Sequence, residues 1–121
     1  MRYALALAFM LIATSVDAQH PPEHQKLHEE FYNNWLRPDI GRVNGERTQS
    51  CCSLHDCYPA EVKNVGGTWF FLHRESRRWL AIPERILEQN QTDPRESPDG
   101  HAHVCASATG NVFCAVLGVE I

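Results

Sequence analysis

Five cysteines follow an apolar N-terminal segment, and three of them crowd into Ser50-Cys51-Cys52-Ser53-Leu54-His55-Asp56-Cys57. Cysteines behind an export signal form disulfides, and disulfides dictate which distant segments lie together. The signal itself is recognisable. Arg2 supplies a basic start, residues 4–13 an apolar run too short to span a bilayer, and Val16-Asp17-Ala18 the small-residue end that a signal peptidase accepts. The expected leader is residues 1–18, cleaved before Gln19, with residues 19–121 forming one domain that is periplasmic or secreted. No cysteine stands at the cleavage site to take a lipid, and no integral membrane segment is expected after cleavage. A domain of this size buries a small core, so covalent staples help it.

Three zones follow the leader. Residues 22–37 have helix chemistry: Pro21 and Pro22 suit a first turn, Glu23, Glu29 and Glu30 load the N-terminal half, and Pro38 stops the run. Leu27, Phe31 and Trp35 recur at spacings of four and share one face. Residues 38–50 form a connector with turn signals at Pro38-Asp39, Gly41 and Asn44-Gly45 and little to bury, mobile unless Cys51 or Cys52 ties down its end. Residues 51–121 are mostly β. Strands are expected over 58–65, 68–73 and 78–82, then a helical turn after Pro83, a polar loop over 89–100, and a final hairpin of 101–107 with 112–119 around Thr109-Gly110. The expected fold class is α+β: an N-terminal helix packed on a small antiparallel sheet or an SH3-like half-barrel, stapled by disulfides.

The same landmarks in order carry a resemblance. They are Ser-Cys-Cys-x3-Asp-Cys over 50–57, Gly66-Gly67-x-Trp69, Trp79-x-x-Ile82-Pro83, Pro98-Asp99-Gly100-x2-His103-Val104-Cys105, and Phe113-Cys114. Together they resemble a group of small secreted alphaproteobacterial proteins of no known activity. The resemblance implies a periplasmic location and no function.

Cys51, Cys52, Cys57, Cys105 and Cys114 make at most two disulfides and leave one thiol over, Cys51 or Cys52 in the preferred arrangement. Cys51 and Cys52 are neighbours, and a bridge between them closes a strained ring. Cys105 and Cys114 lie symmetrically about Thr109-Gly110 and face each other across a hairpin. The other arrangement joins Cys57 and one of Cys51 and Cys52 to Cys105 and Cys114. Loop entropy leans toward these long-range bridges, about 4 kcal/mol against about 3 for the short one. The odd thiol is buried and inert, pairs with a second chain to make a dimer, or serves as a ligand. No Cys-x-x-Cys redox motif is present, so a thiol-active redox protein is the third reading of function.

Histidines supply the second reading. His24 and His28 stand four apart on the expected helix, where both imidazoles reach one ion of copper or zinc, with His20 or His55 in support. The plain alternative is that they flank Phe31 and Trp35 on an amphipathic face. Trp69, Phe71 and Trp79 on adjacent strands, beside Arg74, Arg77 and Arg78, form a candidate binding face. The net charge of −4 argues against nucleic acid as a partner. Nucleophile-elbow, phosphate-loop and dinucleotide motifs are absent from the sequence. The first reading is therefore non-enzymatic: a disulfide-stapled domain with a structural or partner-binding role in the cell envelope, its partner unnamed by the sequence.

Overall fold

A computed structural model describes residues 30–51 and 56–119. The leader, the histidine pair His24 and His28, and Cys52 lie outside the described residues. Six strands form two separate sheets. β1 (Cys57–Pro59), β5 (His103–Ala106) and β6 (Val112–Val116) make one, in the order β1-β5-β6. β2 (Val62–Val65), β3 (Thr68–Leu72) and β4 (Trp79–Ala81) make the other, in sequence order. Every ladder is antiparallel.

Two features correct the expected fold class. The stretch expected as one strand over 58–65 is broken after Pro59, which has no N–H for a ladder. Ala60 donates to Ala102 O in the first sheet at 3.0 Å, and one residue on Glu61 O accepts from Leu72 in the second at 2.9 Å. The chain thus changes sheets at this corner, and the strands form two ladders rather than an SH3-like half-barrel. The second correction is at the N-terminus, where no helix packs on the sheet among the described residues. Beyond Glu30 the helical elements are three short 3-10 turns, at Tyr32–Asn34, Glu84–Ile86 and Glu88–Asn90, and Trp35 is already extended (ψ 118°). Tertiary pairing overrides helix propensity here. Trp35 O must accept from Cys51 N at 2.9 Å, and its indole must reach Glu88, which an extended residue allows and a helical one does not. Residues 22–29 of the expected helix lie outside the described residues.

The layers follow from strand alternation. Residues opposite one another in an antiparallel pair share a face. Tyr58, Val104 and Ala115 are in register on one face of the first sheet, and Cys57, Cys105 and Cys114 are in register on the other. The first face meets Phe71, Ile82, Ile86 and Leu87 in the main core. The second meets Tyr32, Trp35 and Cys51 of the N-terminal strap. β5 is therefore buried throughout, its Val104, Cys105 and Ala106 being apolar and its one polar residue, His103, hydrogen-bonded. The second sheet uses only one face for the core.

The connector 38–50 is braced by two arginines. Arg42 donates to Pro38 O, Gly45 O and the Asp93 carboxylate. Arg47 donates to Leu36 O, to both oxygens of Glu88 and to Asp93. Disulfide Cys51–Cys114 closes the strap onto the sheet, and Cys57–Cys105 bridges β1 to β5 within it. Cys105 and Cys114 are direct neighbours across the β5–β6 ladder, yet each bonds outward to another segment.

Candidate functional site

The face that the core leaves open belongs to β2-β3-β4. The register pairs Lys63 with Phe70, Phe70 with Ala81, Leu72 with Trp79, and Val65 with Thr68. These side chains share the outer face, while Val62, Phe71 and Leu80 share the inner one. Of the candidate face Trp69, Phe71 and Trp79, only Trp79 lies outside. Phe71 has no exposed surface and Trp69 packs on the main core. Period-2 alternation separates 69 and 71 from 70, but it does not say which set faces in. Burial answers that: Phe70 and Leu72 are half-buried on the open side, and Trp79 is 38 % and Val65 56 % exposed.

Lys63 Nζ stands 4.1 Å from the centre of the Trp79 ring. A cation over an exposed indole is worth about 0.5–1 kcal/mol and holds the ring flat on the sheet. The β3–β4 turn brings further cations. Arg77 takes a left-handed backbone (φ 58°), and Arg77 and Arg78 are exposed. Neither is in an ion pair among the described residues, whereas Arg74 pairs with Glu75 and lies over the Tyr58 ring. That aromatic contact leaves the Tyr58 hydroxyl free to accept from Arg74 N, and burial pushes its phenol pKa up.

The same turn contains His73, whose role the sequence does not announce. Its Nδ1 lies 2.7 Å from Ser76 Oγ and 3.3 Å from Ser76 N, so Nδ1 accepts and the hydroxyl donates. Its Nε2 donates to Ser107 O at 2.9 Å and lies 3.0 Å from Glu75 Oε2. A Ser–His–carboxylate series invites comparison with a hydrolase site. The backbone refutes it: Ser76 N is turned to the imidazole and Arg77 N donates to His73 O, so neither N–H is available to an oxyanion. His73 is a buried clasp that ties the β3–β4 turn to the first sheet.

A second buried histidine closes the strap. His103 Nδ1 meets Tyr32 Oη and His103 Nε2 meets Asp99 Oδ1, both at 2.7 Å. The Tyr32 and His103 rings meet edge to face, with Phe31 beside them. Burial pushes the Asp99 carboxyl up, but hydrogen bonds from His103 and from the His101 backbone outweigh it and hold the pKa below the usual carboxylate range. Glu88 is the third buried polar centre. It accepts from Trp35 Nε1 (2.8 Å), from both Arg47 terminal nitrogens (2.7 and 2.8 Å) and from Arg95 N (3.0 Å). That pairing raises the Arg47 pKa. Each centre has a local partner, Ser76 for His73, Asp99 for His103 and Arg95 for Glu88, but each also needs one 34 to 71 residues away that sequence spacing does not supply.

Among the described residues no group of three or more His, Cys, Asp and Glu is placed to hold a metal ion. His101 is exposed, both nitrogens of His103 are occupied, and Cys105 is a disulfide sulfur. No described helix is long and apolar enough to cross a membrane. No family model, curated protein or solved structure matches the chain.

Proposed function

We propose that this protein is an exported, disulfide-stapled binding domain of the cell envelope, engaging its partner through the open face of β2-β3-β4. One observation carries the reading. The second sheet buries one face completely enough to hide Phe71, yet leaves Val65, Phe70, Leu72 and Trp79 on the other with a lysine across the indole. An apolar, aromatic-centred patch rimmed by cations is the composition of a recognition surface. Export is supported by residues 1–18 and by a fold in which four cysteines are oxidised. The disulfides and arginine braces hold the rest rigid, so binding orders few groups.

The test replaces Trp79 with a photo-crosslinking phenylalanine analogue in cells that export the chain, with Thr92 replaced as a control. The mature protein is expected to lack residues 1–18 by mass, and position 79 to give a discrete adduct that position 92 does not. Equal adducts at both positions, or none at 79, would sink the reading.

A further inference from the structure

We propose that the outward edge of β4 takes up an extended acidic polypeptide segment as an added strand, an inference that rests on the binding face just described. The hydrogen-bond phase of the sheet carries it. Ile82 N donates to Trp69 O and His73 N to Arg78 O, so in the β3–β4 ladder residues 78, 80 and 82 turn their backbone groups inward. The N–H and C=O of Trp79 and Ala81 therefore point away from the sheet, and no described residue is hydrogen-bonded to them. Both residues are exposed. Natural edge strands are commonly blunted by shortness, a charge, a proline or a bulge; β4 is short, but Trp79-Leu80-Ala81 contains no charge, proline or bulge.

A strand docked there sets alternate side chains beside Trp79 and Ala81 and extends the open face that Phe70 and Leu72 continue on β3. Charge specifies its chemistry. Lys63 lies over Trp79 and has no ion-pair partner among the described residues, and Arg77 and Arg78 lead directly into β4. Of the nearby carboxylates, Glu75 is held by Arg74 and His73, Glu61 sits on the far, β2 edge, and exposed Glu84 follows β4 after Pro83, one acid against the three cations Lys63, Arg77 and Arg78. The β4 edge is a cationic margin, and pairing it with the same edge of a second copy would bring like charges together, so it favours an acidic segment over a second copy. A sulfated glycan offers the charge without the regular amide and carbonyl groups that the edge can pair.

The probe is a capped decapeptide alternating Glu and Val, titrated into the full exported protein, with a Lys-Val decapeptide and heparin as controls. Hydrogen exchange is read at the Trp79 and Ala81 amides, and affinity by tryptophan emission. The Glu-Val peptide is expected to slow exchange at both amides by about ten-fold or more and to bind more weakly as salt rises. Ala81→Pro, which removes an outward N–H, and the double charge reversal Arg77→Glu/Arg78→Glu should each weaken it by about ten-fold. Retained disulfides and circular dichroism check that the variants fold. Heparin binding without amide protection, peptide binding unchanged in both variants, or protection by self-association without peptide would each overturn the inference. Crosslinks at position 79 with no peptide binding remove the acidic strand and keep the partner face; absence of both removes both.

Discussion

Replacing Arg47 with methionine tests how the strap is held. Glu88 is fully buried, and its two oxygens accept four hydrogen bonds, two of them from Arg47. The Arg47 side chain is 5 % exposed, so water does not screen the pair. Arg47→Met keeps the aliphatic stem and removes the only cation among the described residues that is bonded to Glu88. The buried carboxylate then has only Trp35 Nε1 and Arg95 N, and breaking a buried pair in this way costs about 3–5 kcal/mol. For a domain of this size that lowers the melting temperature by on the order of 20 °C. One buried donor, Arg47 Nε, has no partner in the native protein, which tempers the cost slightly. Glu88→Gln in the same background removes the uncompensated charge and should restore most of the loss. Urea unfolding of the four proteins of this cycle is the assay. A cost for Arg47→Met below about 1 kcal/mol would refute a buried pair that anchors the connector.

Four other outcomes follow from the same structure. Tyr32→Phe leaves His103 Nδ1 without its partner in a buried site and should cost about 1–3 kcal/mol in urea unfolding. The Asp99 carboxyl is held below its ordinary value of 3.8, so its stabilisation is present above that value and lost as pH falls through the folded pKa; Asp99→Asn should flatten this acid limb of the stability profile, and an unchanged limb contradicts the His103 contact. A non-reduced digest should yield peptides linked through Cys51–Cys114 and Cys57–Cys105, and removing either pair of cysteines should cost about 4 kcal/mol; a Cys105–Cys114 peptide would contradict the fold. Gly118→Ala drives a methyl against the backbone of Gly100 and His101 and should cost about 1–3 kcal/mol by thermal melting, whereas Gly45→Ala meets no atom and pays only for its left-handed backbone.

Much of the β half was legible in the chain because its signals are local. Gly66-Gly67 and Thr109-Gly110 mark turns, and the runs 68–72 and 79–81 have strand chemistry at period two. The cysteines narrowed the long-range arrangement before any contact was known. The break at Pro59 was visible as a proline, but not as a change of sheet, since that depends on Ala60 and Glu61 finding partners in different ladders. The helix expected to run to Arg37 fails for a comparable reason: Phe31 and Trp35 have helical spacing, but the Trp35 backbone and indole are claimed by Cys51 and Glu88.

By itself the sequence determined a disulfide-rich, mostly antiparallel domain and the alternation of aromatic residues within it. Spacing along a chain encodes those properties because neighbouring residues impose them. Which aromatic row faces water was decided only by the tertiary structure. The strap covers one face of the first sheet, the second sheet covers the other, and Phe70, Leu72 and Trp79 are left on the open side because no described layer remains to cover them. The three buried polar centres were likewise beyond sequence spacing. Each depends on donors and acceptors that meet only when the layers close, and burial makes those contacts necessary.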